Sequence, residues 1–554
     1  MSEHFDAIVV GAGLAGLVAT HEAVLGGKRV LVLDQENRAN LGGQAFWSLG
    51  GLFFVDSPEQ RRMGIKDSFE LAWQDWQGSA AFDRLDDEDS WARRWAEAYV
   101  RFAAGEKRSY LRELGLRSIP MVGWAERGDG SATGHGNSVP RFHLTWGTGP
   151  GVVDVFLGPV LDAESRGRVR FAFRHQVDQL IVEDAAVVGV RGTVLEPSDA
   201  ERGVKSSREK AGEFEFRADA VVVASGGIGH NHDLIRRNWP TERVGPAPEH
   251  LISGVPAHVD GRMLAITEEA GGRIVNRDRM WAYTEGIHNW DPIWPDHAIR
   301  ILPGPSSMWF DADGRRLTGM SGVPGADSIG AMKQILAAGH DYSWFILTQT
   351  IIEKEFALSG SEQNPDITGK DLKLLLQTRA SKGAPAPVEA FKQHGEDFVV
   401  AETLADLVAG MNKIARGPEL DLEEIERQIV ARDRELENAF SKDVQLMTIA
   451  NARRSRTDKI VRVAKPHRIL DPEHGPLIAV RCNILSRKTL GGLQTDLDSR
   501  VIGADGTAVP GLYAAGEAAG FGGGGVHGYN ALEGTFLGGC IFSGRNAGRA
   551  IARG

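Results

Sequence analysis

The stretch DAIVVGAGLAGLVATHEAVLGGKRVLVLD, residues 6–34, decides the fold because two apolar runs enclose a glycine-opened helix. The runs DAIVV and RVLVLD predict two buried strands, and the small and apolar residues between them predict the connecting helix. Gly11, Gly13 and Gly16 form a G-x-G-x-x-G turn, and the acidic Asp34 follows eighteen residues later. This context predicts an α/β fold in which the glycines approach a pyrophosphate and Asp34 holds a ribose. The alternative is a glycine-rich turn in some other α/β fold.

The composition of the 554-residue chain is that of an ordinary globular protein, with 42% hydrophobic and 25% charged residues. Its net charge of −11 predicts no nucleic-acid partner. Cys482 and Cys540 lie far apart, which predicts neither a disulfide framework nor an iron–sulfur cluster. The spacing of His288 and His297 indicates no metal site. No leader-like N-terminus and no run of about 18 apolar residues is present, so we expect a cytoplasmic protein without a transmembrane segment.

The order of apolar and polar segments predicts three parts of the chain. Residues 1–275 form the first part of a nucleotide-binding domain, with a helical insertion over about 66–116 and the apolar strand ADAVVVASGG at 218–227. Such a strand is typical of a buried parallel sheet that opens onto a ligand. Tryptophans and prolines then become frequent, and residues 276–475 are predicted to form an inserted domain. Strand and turn signals return over 476–554, where we expect the second part of the first domain.

The C-terminal stretch GEAAGFGGGGVHGYNALEGTFLGG, residues 516–539, holds ten glycines in twenty-four residues. Glycine costs about 0.5–1 kcal/mol relative to alanine inside regular structure, so this density needs a physical reason. One alternative is a flexible linker, the usual form of a glycine run. The other is bare main chain lying against a large flat ligand. The aromatic and apolar residues within the stretch, and the apolar helix that follows it, favour the ligand.

Six motifs along the chain resemble the flavoproteins of the fumarate reductase/succinate dehydrogenase superfamily. They are GAGLAG (11–16), LGGQAFWSLGG (41–51), VVVASGG (221–227), VDGRMLAI (259–266), TLGGLQTD (489–496) and PGLYAAGEAAG (510–520). They follow the family's order and together cover its FAD-binding portion. The resemblance implies a Rossmann-like (GR2-type) FAD-binding domain, built from residues 1–275 and 476–554, with an inserted α+β capping domain at 276–475.

The same resemblance implies which residues bind FAD. Those at the pyrophosphate are Gly11, Ala12, Gly13, Leu14, Ala15 and Gly16, and those at the adenosine ribose are Asp34 and Gln35. Those along the diphosphate and the flavin edge are Gly42, Gly43, Gln44, Ser48, Gly50 and Gly51. Those at the adenine, the ribose and the flavin end are Val177, Ala224, Ser225, Gly226, Gly516, Glu517, Thr535 and Phe536. Several members attach FAD through a histidine before the paired glycines, but none lies between Glu22 and Glu70 here, so we expect non-covalent FAD.

Two arginine positions used by dicarboxylate-specific members differ in this chain. Those members clamp carboxylates with arginines, because a planar guanidinium binds a carboxylate through two hydrogen bonds. One arginine belongs to an HGxNRLGGN-like motif, which here is HGYNALEGT (527–535), with Ala531 at the arginine position and Glu533 at a glycine position. The cap loop AIRILPGPSSMWFD (298–311) has no matching arginine-glycine-glutamate stretch. Fumarate and succinate are therefore not the expected substrates.

The chain is most similar to the 3-ketosteroid dehydrogenase type, which implies dehydrogenation of a carbon–carbon bond next to a ketone. TLGGLQTD, the tryptophan-rich cap and a tyrosine before a helix-opening glycine carry this likeness, although the family's tyrosine–proline pair is missing. In this chemistry a phenolate removes a proton, flavin N5 accepts hydride, and a second phenol and a backbone N–H stabilise the enolate oxygen. The candidate residues are Tyr529, Tyr342 and Tyr283 for the phenols and Gly534 for the N–H.

The expected partners are a small apolar ketone such as a steroid and an electron acceptor that the sequence does not identify. Two other functions stay open. A fumarate-reductase-like reductase of an unsaturated acid needs an arginine from the cap, for which Arg300 is the candidate. A flavin subunit of an electron-transfer complex needs a partner that carries the relay, because this chain lacks the cysteines for an iron–sulfur cluster.

Overall fold

The computed structural model describes residues 4–380 and 383–554. The first sheet starts with the predicted unit: strands His4–Val10 and Val30–Asp34 lie parallel, joined by helix Leu14–Leu25. Its strands are, in spatial order, Arg500–Ile502, Ala508–Ala514, Lys210–Val223, His4–Val10, Val30–Asp34 and Val169–Phe173. Every neighbouring pair except the first is parallel, and the hairpin of His175–Glu183 and Ala186–Leu195 extends Lys210–Val223. The predicted α/β class with a parallel sheet is confirmed.

The second sheet is mainly antiparallel and is built around the long strand Leu477–Thr489. Its strands are, in spatial order, Met308–Asp311, Tyr342–Thr348, Leu477–Thr489, Met280–His288, Ala298–Leu302 and Ala357–Leu358. The short strands Ile252–Ser253 and Phe398–Ala401 also pair with Leu477–Thr489. Trp309, Trp344 and Phe345 are buried in its core, so the tryptophans that marked this region in the sequence serve largely as packing.

Smaller elements complete the chain. Two small sheets contain Ile274–Val275 with Gly492–Leu493, and Gly51–Phe53 with Phe142–Thr145 and Ser118–Gly123. The helices of the first half are Leu14–Leu25, Pro58–Arg62, Phe69–Ala80, Asp89–Ala104, Lys107–Glu113, Thr148–Ser165, His232–Arg237, Thr241–Val244 and Arg262–Glu269. Those of the second half are Ser328–Ala337, Gln349–Glu355, Pro365–Thr368, Leu372–Ala380, Ala386–His394, Leu404–Ile414, Leu422–Glu435, Val444–Ala452, Arg456–Val461 and Thr535–Arg553.

The two ends of the chain meet where helix Thr535–Arg553 packs on helix Leu14–Leu25. The approach is close because the contact residues of the last helix are glycines. A Cβ on Gly544 would lie 2.5 Å from the Ala15 carbonyl oxygen, and one on Gly548 would lie 2.4 Å from the Ala19 carbonyl oxygen. Real Cβ atoms do not approach so closely, so these glycines allow the C-terminal helix to pack directly on helix Leu14–Leu25, which covers the first sheet.

The predicted division of the chain at residues 275 and 475 stays a prediction. The predicted helical stretch 66–116 contains three of the helices given above. The strand that starts at 477 pairs within the second sheet, and the first sheet resumes only at Arg500–Ile502. The polypeptide therefore passes from one sheet to the other through TLGGLQTD, at 489–496.

Candidate active site

One continuous cavity of about 990 Å³ is lined by residues of both sheets. Of the residues implied at FAD, those that line it are Gly11, Gly13, Leu14, Ala15, Asp34, Gln35, Gly43, Gln44, Ser48, Gly51, Val177, Ala224, Ser225, Gly226, Glu517 and Phe536. Within the described part of the chain, the others are not among its lining residues: Ala12, Gly16, Gly42, Gly50, Gly516 and Thr535. Segments more than four hundred residues apart in the sequence therefore share one cavity.

Asp34 lies at the carboxyl end of its strand, beside the glycine turn. One carboxylate oxygen accepts a hydrogen bond from the Ala12 N–H at 2.8 Å, and the other accepts one from the Glu36 N–H at 2.8 Å. These bonds fix the turn and the acid relative to each other. Each carboxylate oxygen keeps a further acceptor site, which suits the hydroxyl groups of a ribose.

Two glycine turns face each other at the start of helix Leu14–Leu25. The Gly42 N–H donates to the Ala12 carbonyl at 2.9 Å, and a Cβ on Gly43 would lie 3.1 Å from Gly13 Cα. A Cβ on Gly13 would meet no described chain atom within 4 Å. Bare main chain and a helix N-terminus therefore border open space, the combination that binds phosphate groups.

Glu517 and Gly534 mark the other end of the cavity. The buried Glu517 carboxylate accepts hydrogen bonds from the Gln44 side chain and the Thr489 N–H, both at 2.8 Å. Gly534, with φ of +88°, caps the last helix, and its carbonyl accepts a bond from the Phe53 N–H at 2.9 Å. The positive end of this helix dipole borders the cavity, which suits a ring that gains negative charge on reduction. These features fit FAD along the part of the cavity that runs from the glycine turns to the start of the last helix.

The three candidate tyrosines differ in their position relative to the cavity. Tyr283 lines the cavity, while Tyr529 and Tyr342 are not among its lining residues within the described chain. The Tyr529 hydroxyl donates to Asp83 at 3.0 Å, and the guanidinium carbons of Arg243 and Arg279 lie 3.4 Å and 4.0 Å from the centre of its ring. Tyr342 lies in the core of the second sheet. Which tyrosine acts in catalysis stays a prediction, and geometry favours Tyr283.

Tyr283 is joined to two charged groups that also line the cavity. Its hydroxyl donates to Glu533 Oε1 at 2.7 Å, and Lys488 Nζ donates to the hydroxyl oxygen at 3.2 Å. Burial raises the pKa of Tyr283 well above its ordinary value, so the resting group is a phenol. Burial and the nearby Arg487 lower the pKa of Lys488 to about 7. Burial alone would raise the pKa of Glu533, but Arg300 and Lys488 outweigh it and hold that pKa below its ordinary value.

Arg300 reaches the cavity from the second sheet, although its cap loop lacks the dicarboxylate motif. Its Nη1 donates to Glu533 Oε1 at 2.8 Å, and its guanidinium carbon lies 3.7 Å from the centre of the Tyr283 ring. Glu285 and Glu126 each lie 3.6 Å from other guanidinium nitrogens. Burial disfavours the charge on Arg300, but Glu285 and Glu533 raise its pKa above the ordinary value. The cavity therefore contains an arginine that is already paired.

Sequence reasoning missed Lys488 as a site residue and treated Glu533 only as a departure from a motif. The signal for Lys488 was its position: a lysine directly before TLGGLQTD, at the end of a strand whose other residues are mostly buried. His527, the first residue of HGYNALEGT, shares a hydrogen bond with Thr535 Oγ1 at 2.9 Å and stacks on Trp76. It is not among the described lining residues.

Within residues 4–380 and 383–554, no helix combines the length and the apolar character needed to cross a bilayer.

The chain is similar to a known protein family and to named proteins over almost its whole length. The model of the FAD binding domain family matches residues 6–537. A KsdD-like steroid dehydrogenase of Mycobacterium tuberculosis is 64% identical over 547 residues, which cover 99% of this chain and 95% of that protein. A KsdD-like steroid dehydrogenase of Mycolicibacterium smegmatis is 63% identical over 532 residues, which cover 96% of each.

A solved structure with a similar fold is 3-ketosteroid delta1-dehydrogenase from Sterolibacterium denitrificans, in complex with 1,4-androstadiene-3,17-dione. It is similar with a TM-score of 0.68 and 16% sequence identity, and the match covers 99% of both chains. At that identity the likeness concerns the fold.

Proposed function

The chain belongs to the FAD binding domain family, whose model spans almost all of it, and on this premise we propose that it is an FAD-dependent dehydrogenase of 3-ketosteroids. The reaction introduces a carbon–carbon double bond next to the ketone. The observation that carries the proposal is the 64% identity, over 99% of the chain, to a protein named as a steroid dehydrogenase. The cavity supports it, because a phenol, an amine and a helix N-terminus converge there.

The residues around the cavity divide between cofactor and substrate. Gly11, Gly13 and Asp34 would hold the adenosine diphosphate part of FAD, and Glu517 and the start of the last helix would hold the flavin part. FAD, when bound, supplies the two-electron oxidant that accepts a hydride from a substrate carbon. The chain's own task is to orient the ketone and to remove the accompanying proton.

Tyr283 is the residue that we place at the departing proton. In this step the hydroxyl turns from Glu533 to the neutral Lys488 amine and gives its proton to Nζ, which becomes an ammonium group. The tyrosine oxygen meanwhile accepts the proton from the carbon next to the ketone. Glu533 is the weaker proton acceptor of the two neighbours, since its pKa is held low whereas that of Lys488 is about 7. The Gly534 N–H, at the positive end of the last helix, stabilises the negative charge that develops on the ketone oxygen.

A steady-state assay tests this function. We expect the purified holoprotein to convert 3-ketosteroids, with an artificial electron acceptor, into products that mass spectrometry shows to have lost two hydrogen atoms. The comparison panel contains dicarboxylates and unsaturated acids with a reduced dye as electron donor. If the protein reduces members of that panel and converts no steroid, the proposal is replaced by the alternative of a reductase of unsaturated acids. The specific observation in favour of that alternative is that Arg300 lines the cavity.

The role of Lys488 predicts a pH dependence of kcat. Below pH 7 the amine is protonated and accepts no proton, so kcat is expected to rise with pH and to level off above the Lys488 pKa of about 7. Lys488→Met is expected to abolish this step and to lower the plateau by about 10–100-fold. Lys354→Met is the matched control, because Lys354 also lines the cavity but donates to the Ile460 carbonyl. A step near pH 7 that persists in Lys488→Met would contradict the assignment.

A further inference from the structure

We infer that Glu533 restricts this cavity to neutral carbonyl compounds by occupying Arg300, which would otherwise bind a substrate carboxylate. The inference rests on the proposed function, since it concerns the substrate class of the same site. It assigns to one side chain the choice between a ketone and an acid.

The first part of the argument is the position of Arg300. Its guanidinium lines the cavity, yet its side chain is only 8% exposed, so a ligand that reached it would be largely removed from water. A guanidinium in such a place binds a carboxylate strongly, because charge-assisted hydrogen bonds gain strength where water is excluded. Arg300 thus has the chemistry of an anion site.

The second part of the argument is that Glu533 is already paired with Arg300. Glu533 Oε1 lies 2.8 Å from Arg300 Nη1, and the Glu533 carboxylate is itself 13% exposed at the cavity wall. Glu285 and Glu126 add carboxyl groups 3.6 Å from the same guanidinium. An incoming carboxylate would meet Glu533 before it met an unpaired cation, and like charges at this range repel.

The third part is that Glu533 also aligns Tyr283, through the 2.7 Å hydrogen bond from the hydroxyl. A neutral ketone needs no cation and is served by the phenol and by the Gly534 N–H. A charge-removing substitution that keeps the shape, Glu533→Gln, leaves Tyr283 a hydrogen-bond acceptor but removes the carboxylate that is hydrogen-bonded to Arg300. Glu285 and Glu126, at 3.6 Å, then remain as the nearest counter-charges.

The test is a binding titration of the holoprotein, read from the shift of the flavin absorbance. The probes are cyclohexanecarboxylate and the matched neutral cyclohexanecarboxamide, neither of which is a ketone that the reaction would consume. The titration is made above the Lys488 pKa of about 7, where this lysine is mostly neutral. Wild-type protein is expected to bind the amide at least as tightly as the acid.

In Glu533→Gln the affinity for the acid is expected to rise by about tenfold or more, while that for the amide changes by less than about threefold. Glu353→Gln is the control, because Glu353 lines the cavity but is not paired with Arg300. The control is expected to leave both affinities unchanged. In the double variant Glu533→Gln with Arg300→Met, the affinity for the acid is expected to fall back to that of the wild-type protein.

Three results would overturn the inference: Glu533→Gln binds the acid no more tightly than wild type, its affinity for the amide rises as much as that for the acid, or Glu353→Gln shows the same rise in affinity for the acid. If Glu533→Gln does not retain FAD, Glu533→Gly is titrated against the same thresholds. Because these measurements record binding only, their failure is distinct from that of the proposed function, which is judged by steroid turnover of the wild-type protein.

Discussion

Replacing Tyr283 by phenylalanine is expected to lower kcat for 3-ketosteroid dehydrogenation by about 10²–10⁴-fold, the range of a lost general base. Tyr283 is 2% exposed and lines the cavity, and its hydroxyl links Glu533 to Lys488. Phenylalanine keeps the ring against Arg300 and removes only the oxygen that we propose as the acceptor of the substrate proton. The measurement is kcat under saturating steroid, together with the FAD content of the purified variant.

Tyr342→Phe is the matched control, since the same oxygen is removed from a tyrosine in the core of the second sheet. It is expected to change kcat by less than about threefold. Tyr283→Phe with normal FAD content and with kcat within tenfold of wild type would exclude Tyr283 as the proton acceptor. If Tyr342→Phe alone abolished turnover, the base would have to be sought outside the described cavity lining.

Gly13→Val is expected to weaken FAD binding by at least about 100-fold, equivalent to about 2.7 kcal/mol. The backbone of Gly13 has φ of −74°, which valine adopts without strain, and a Cβ there meets no described chain atom within 4 Å. The apoprotein should therefore fold normally. The added methyl groups would occupy the space where the resemblance places the pyrophosphate, between the two glycine turns.

The measurements are the FAD dissociation constant, by fluorescence titration of the apoprotein, and the apoprotein's thermal midpoint. Gly158→Val is the control, because Gly158 lies in helix Thr148–Ser165 and a Cβ there likewise meets no described atom within 4 Å. It is expected to bind FAD like wild type. Unchanged FAD affinity in Gly13→Val would place the pyrophosphate elsewhere.

The FAD-binding fold could be predicted from the sequence because its signals are local. The apolar runs around Gly11, Gly13 and Gly16 fix a strand, a turn and a helix within thirty residues, and the structure confirms that unit. The resemblance to the ketosteroid dehydrogenase type was inferred from TLGGLQTD, the tryptophan-rich cap and a tyrosine before a helix-opening glycine. It is confirmed by relatives at 63–64% identity. The cofactor is confirmed as FAD by the family.

The arrangement of the proposed catalytic groups could not be predicted, because it depends on pairing between distant strands. Tyr283 and Lys488 come together since Met280–His288 pairs antiparallel with Leu477–Thr489, two hundred residues away. Arg300 joins them from the next strand, which pairs with Met280–His288. Motif spacing favoured Tyr529, whose hydroxyl donates to Asp83 outside the described cavity lining, and its catalytic role stays a prediction.

The sequence also does not predict to which of the two sheets a strand belongs. The apolar run that begins at 477 carries a clear strand signal, and most of its residues are buried, as in strand Val30–Asp34 of the first sheet. Local sequence does not distinguish the two sheets, since both bury their strands on two faces. Only the hydrogen bonds of Leu477–Thr489 place it in the second sheet.

Anaerobic mixing of the holoprotein with 4-androstene-3,17-dione tests the central claim most directly, because no electron acceptor is needed. The account predicts that the visible absorbance of the oxidised flavin bleaches in wild-type protein and that bleaching is slowed by about 10²–10⁴-fold in Tyr283→Phe. A wild-type protein that keeps its FAD fully oxidised with this and every other 3-ketosteroid would contradict the account.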